Sequence, residues 1–205
     1  MPLLAKSVGD TYLKREAAKK SQSKSSSYLN PKEDIPSDGH VRVTPCGDDS
    51  VTGFLVWTND GNDSSKKIKM LFSEEPTKQD IEARADECGA MLDGRERPSQ
   101  FFGLFVWNYE AERIQYFEFA QKSLVQPFVE GMSEEEIAAD PEAFDWKLTC
   151  DRSGEFPKYG LQILPGWRRK AQYADKIQAA WDAVAKTANV QVALNGGDVF
   201  KGTPF

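Results

Sequence analysis

A single histidine, His40, and three cysteines, Cys46, Cys88 and Cys150, leave this chain of 205 residues little with which to hold a metal. The cysteines are odd in number, far apart and never in a Cys-x-x-Cys pair, so neither a disulfide framework nor a zinc module is expected. No cofactor is expected either. No apolar run reaches the roughly 18 residues that a membrane-spanning helix requires. The opening MPLLAKSVGDTYLKREAAKK has no apolar segment of signal-peptide length, which leaves the cytoplasm as the expected compartment and no membrane as a partner. There is no internal repeat to suggest a solenoid or propeller.

What is present is a chain long enough for one domain with a real core plus tails. Its net charge of -6 argues at first against a polyanion partner. The distribution changes that reading. Residues 1–30 carry Lys6, Lys14, Arg15, Lys19, Lys20 and Lys24 against Asp10 and Glu16, and the chain after Pro165 is also net basic. The potential at a site depends on nearby charge, so acidic insertions in the middle are compatible with a basic groove. Residues 1–30 end in SQSKSSSYLN and read as a flexible Ser/Lys-rich arm, either solvated or in contact with phosphates.

The chain is organised around FFGLFVWNYEAERIQYFEFA, residues 101–120. Two runs rich in aromatic and β-branched residues flank a short polar break, which predicts a β-hairpin. Alternation puts Phe102, Leu104 and Val106 on one face of its first strand and Phe101, Phe105 and Trp107 on the other. Such a strand is either buried on both sides or keeps one side apolar for a ligand with flat faces. Gly103 marks a place for a bend, and faces are not assigned past Tyr116, where Glu118 interrupts the pattern.

Around the hairpin, strands are predicted at His40 to Pro45 and Val51 to Trp57, with a Lys66, Lys67, Lys69 cluster on the next extended segment. Residues 73–99 form a charged, helix-favouring surface insertion with Gly89 as its C-cap. A short helix is predicted from Gln121 to Glu130, and Ser133 opens an S-x-x-E capping box for another. FDWKLTC, residues 144–150, alternates as a half-buried strand, and Tyr159 to Leu164 returns beside it. Residues 166–188 form an amphipathic helix carrying Tyr173, Ile177, Ala180, Trp181 and Val184, and residues 189–205 read as a mobile tail. The order implies a mainly β, α+β fold: a five-stranded barrel of oligonucleotide-binding type over residues 31–165, with a helical insertion and a C-terminal amphipathic helix.

FFGLFVWNYEAERIQYFEFAQKSLVQPFVE and FDWKLTCDRSGEFPKYGLQILP, with the upstream SSSYLNPKEDIPSDGHVRVTPCGDDSVTGFLVW, resemble the phage-encoded single-stranded DNA-binding proteins. The resemblance covers about Ser25 to Pro165 in a loosely patterned match. It implies an oligonucleotide-binding fold and sequence-tolerant binding of single strands in phage replication, recombination or repair, without catalysis and in the host cytoplasm. The family often ends in an acidic tail closing with an aromatic residue. This chain ends GGDVFKGTPF, so Pro204 and Phe205 are the matching candidates for docking replication proteins, though the segment is not acidic.

The residues alone supply a mechanism: bases stack on exposed aromatics while Lys and Arg track phosphates. Trp57, Trp107, Tyr109 and Tyr116 are the stacking candidates, with core packing the alternative for Trp57. Lys66, Lys67, Lys69, Arg113, Lys147 and Arg152 are the phosphate candidates. Trp146 and Tyr159 are assigned to the core. Homo-oligomers are compatible with the helix around Trp181. Two other classes compete: a protein-interaction module of a replisome or virion without nucleic-acid affinity, and a metal-dependent nuclease built on Asp145-Trp146-Lys147.

Overall fold

The structure, a computed structural model, describes residues 27–36, 39–63 and 65–201. Most of the basic arm, as well as Pro204 and Phe205, lie outside the described residues. Among the described residues eight strands join in one large sheet, with helices added: β1 (Tyr28–Leu29), β2 (His40–Asp60), β3 (Lys67–Phe72), β4 (Ala90–Met91), β5 (Ser99–Asn108), β6 (Arg113–Phe119), β7 (Phe144–Asp151) and β8 (Lys158–Pro165). The helices are α1 (Pro31–Asp34), α2 (Lys78–Cys88), α3 (Lys122–Met132), α4 (Glu135–Ala139) and α5 (Trp167–Val184), with 3-10 turns at Pro141–Ala143 and Val190–Asn195.

The predicted hairpin is β5–β6, in unbroken register from Phe102 opposite Phe119 to Asn108 opposite Arg113. Asn108 sets its turn: Oδ1 accepts the amides of Glu110 and Ala111, while Nδ2 donates to the buried Gln115 at 2.7 Å. Gln115 in turn donates to the carbonyl of Tyr28 and ties β1 alongside β6.

The two strands predicted before the insertion are one strand, β2, which serves as the spine of the sheet. Its first part pairs with β7, most of its length with β5, and its last part with β3 and β4. CGDDS is a bulge within β2 rather than a turn between strands, with the register shifting between Pro45 and Ser50. Gly47 sits there at φ 75°, and a Cβ on it would collide with the Trp181 ring. β6 and β8 are not paired, so the sheet is open.

Alternation divides the hairpin between two cores. Leu104, Val106, Phe117 and Phe119 pack with Val41, Val43, Trp146, Leu148 and Leu124 on one side. Phe101, Phe105, Trp107, Ile114 and Tyr116 face the other side. There α5 lies over them with Tyr173, Ile177, Ala180, Trp181 and Val184, the apolar positions read from its 3.6-residue period. Val190, Ala193, Val199 and Phe200 complete that core, so residues 190–200 are packed structure, not the expected mobile tail. The driving force is plain: each large apolar side chain taken out of water contributes about 1.5–3 kcal/mol, and this segment supplies several.

The insertion holds its helix as expected. Thr77 and Asp80 form a capping box, and Gly89 closes the helix at φ 68°. It also carries a small core, with Ile81 and Ala85 against Val56 and Met70. Ser133 does not open the next helix. Its hydroxyl donates to the carbonyl of Val129 and ends α3, while α4 begins after an uncapped Glu134.

Candidate nucleic-acid interface

Trp57 and its cations are assembled by the β2–β3 ladder. Val56 and Met70 face α2, so their neighbours on the strands must face the other way. Trp57 stands directly opposite Lys69, and Asn59 opposite Lys67. Trp57 is 54% exposed, so much of its indole is open to solvent. Three lysines surround this strip, differently compensated. Lys67 Nζ donates to the neutral Asn59 Oδ1 at 2.6 Å and keeps its full charge. Lys66 stands 3.4 Å from Asp63, whose carboxyl is held below the usual range first by the Ser65 hydroxyl and amide. Lys69 reaches across the face to Glu118 at 2.7 Å.

Beyond Lys69 the face deepens into a groove of about 850 Å³. Its walls are Met70 and Leu71 of β3, Arg84, Glu87 and Cys88 of α2, Tyr116 of β6, and the turn Asn195-Gly196-Gly197. Tyr28 stands at this groove 44% exposed, making edge-to-face contacts with Tyr116 and Phe200. Sequence reasoning missed Tyr28 because it belongs to the Ser-rich arm by composition. The available signal was an aromatic residue isolated in a polar segment just before an Asn-Pro helix start.

The other stacking candidates present no ring to a base, although Tyr116 reaches the wall of the groove. Trp107 and Tyr116 are each 1% exposed and Tyr109 is 4% exposed. The cause is the amphipathic helix: α5 and residues 190–200 cover the face that sequence alternation left open for a ligand. Burial also pushes the Tyr116 hydroxyl well above the usual phenol range. Its Oη lies over Gly103, where a Cβ would collide with it, so this glycine admits a tyrosine rather than bending a barrel.

The remaining cations are dispersed. Arg113 alternates with Ile114 and Tyr116, points to the opposite face and feels Asp34, while burial depresses its pKa. Lys147 lies opposite Arg42 and Gln162, at the far end of β2 from Trp57. Arg152 donates to the carbonyls of Lys32 and Ile35 and fastens α1 to the sheet. Of the sequence candidates, Trp57, Lys66, Lys67 and Lys69 come together, the buried Tyr116 adjoins them in the groove wall, and the rest lie elsewhere.

Asp145, the carboxylate on which a nuclease would rest, is fully buried, although its strand predicts it exposed. The Tyr109 hydroxyl donates to its Oδ1 at 2.9 Å, and Arg42 stands 3.8 Å from Oδ2. A Cβ on Gly166 would strike the same carboxylate, which places it against the start of α5. These contacts give Asp145 a structural role. Among the described residues no group of three or more His, Cys, Asp or Glu is placed to hold a metal ion, and no helix is long and apolar enough to cross a membrane.

Comparison with protein families, with curated proteins and with solved structures finds no match for this chain.

Proposed function

We propose that this protein binds single-stranded DNA without marked sequence preference, stacking a base on Trp57 while Lys66 and Lys67 follow the phosphates. The observation that carries the reading is Trp57, more than half exposed, with Lys67 two positions away on the facing strand and its Nζ on the neutral Asn59. Every base has a flat face, so an exposed indole recognises unpaired bases of any sequence, and each stack contributes about 1–3 kcal/mol. A duplex hides those faces within its own stack.

The strand succession supports the same reading. β2 lies between β5 and β7, β5–β6 and β7–β8 are hairpins, and α3 falls between β6 and β7. We read that order as fitting a partly open barrel of oligonucleotide-binding type, with β3, α2 and β4 inserted in the first connection. The resemblance to phage single-stranded DNA-binding proteins adds the setting: coating of single strands during phage replication, recombination or repair.

The test is a competition between oligo(dT) and a duplex of the same length for the full chain. The account expects clear preference for the single strand and affinity that falls with added salt. Equal or stronger binding of the duplex would refute it, and no binding of either would leave the surface to a protein partner.

A further inference from the structure

We infer that the groove beside Trp57 is a second base-binding site, taking an unpaired nucleobase of the same strand with Tyr28 as its stacking platform. The inference rests on the single-strand reading above and names what lies next along the path.

The groove adjoins the first site through Lys69, which pairs with Trp57 on one side and lines the groove on the other. Its volume, about 850 Å³, exceeds what a single base fills. Its charge excludes the backbone as occupant. Both cations at its walls are already closed by carboxylates, Lys69 by Glu118 at 2.7 Å and Arg84 by Glu87 at 3.0 Å. A groove so neutralised offers phosphate little attraction. Its far end continues into a smaller cavity lined by Glu74, Glu75 and Asp80, where a phosphate would meet negative charge. A neutral ring meets no such penalty. Tyr28 presents an exposed aromatic surface, and the apolar walls Met70 and Leu71 suit a base.

The fourth wall is bare backbone. Gly196, at φ 72°, has no atom within 4 Å of the place a Cβ would occupy, so a ring can approach the main chain closely. Beside it Asn195 is exposed and its side-chain amide makes no hydrogen bond among the described residues. That amide offers both donor and acceptor to a base edge. The phosphates then stay outside, over Lys66 and Lys67, while alternate bases turn inward.

Cys88 gives a direct probe, because it lines the groove and is exposed while Cys46 and Cys150 are buried. Saturating oligo(dT) should slow maleimide labelling of Cys88 in the native chain, and an abasic oligonucleotide of the same length should not. Tyr28→Ala should weaken oligo(dT) binding about 5- to 150-fold, the equivalent of one lost stack. Tyr28→Phe should bind like the native chain. Neither substitution should change the salt slope or the binding of the abasic strand. Unaltered Cys88 labelling at saturating oligo(dT) would overturn the inference, as would native affinity in a folded Tyr28→Ala while Trp57→Ala is weakened. If the native chain binds no oligo(dT) at all, the parent reading fails and this one with it.

Discussion

Trp57 and Trp107 are the same residue type in two opposite physical situations, and their substitutions should separate cleanly. Trp57→Ala removes an exposed ring and should lower oligo(dT) affinity by about 1–3 kcal/mol with little change in unfolding free energy. The salt slope should hold, because stacking releases no counterions. Trp107→Ala opens a cavity under α5 and should cost about 3–5 kcal/mol of stability, read by denaturant titration. Lys67→Ala should reduce the slope of log K against log salt by about 0.7, the single-strand value for one phosphate contact. Arg152→Ala should leave that slope alone and destabilise the fold, since its guanidinium serves the main-chain carbonyls of Lys32 in α1 and of Ile35 just after it. At this scale the sequence made Trp57 and its lysines legible, because strand alternation and the cluster's spacing carried them. It could not separate Trp107 from Trp57. Both end apolar strands, and what distinguishes them is a helix sixty residues or more further along the chain.

That helix was itself legible as an element. The 3.6-residue period of Tyr173, Ile177, Ala180, Trp181 and Val184 marks a face that must be covered, and it is covered by the hairpin. The partner was the missing information: periodicity shows that a face is apolar, not which other face it meets. Residues 190–200 were harder still, because Asn195-Gly196-Gly197-Asp198 breaks their apolar residues into runs too short to show a period. The bulge in β2 belongs to the same packing. CGDDS has turn composition, but Gly47 is there because Trp181 occupies the space of its side chain. Gly47→Ala combines that collision with a positive φ and should cost about 1–3 kcal/mol. The expected readout is a lower midpoint of thermal unfolding; an unchanged midpoint would mean that α5 does not rest on the bulge.

Over the whole molecule the net charge is -6, and at the Trp57 strip Lys66 and Lys69 are each paired with a carboxylate while Lys67 rests on the neutral Asn59. Lys66, Lys67 and Lys69 gather at the β2–β3 end of the sheet, whereas carboxylates such as Glu74, Glu75 and Asp80 lie beyond the groove on the insertion. Screening over about 8–10 Å at ordinary salt keeps one from cancelling the other entirely. The mixed α and β class, the two hairpins and the intervening helix were readable from pattern. That the sheet stays open was not, since a β6–β8 pairing, or its absence, is long-range and has no local signature. The measurement closest to the central claim is tryptophan fluorescence during oligo(dT) titration of the native chain and Trp57→Phe, with anisotropy of labelled oligo(dT) reporting binding separately. Trp107 and Trp146 are buried, so the account predicts that the quenching seen in the native chain is largely lost in Trp57→Phe while weakened binding persists. Full quenching and full affinity in Trp57→Phe would contradict it.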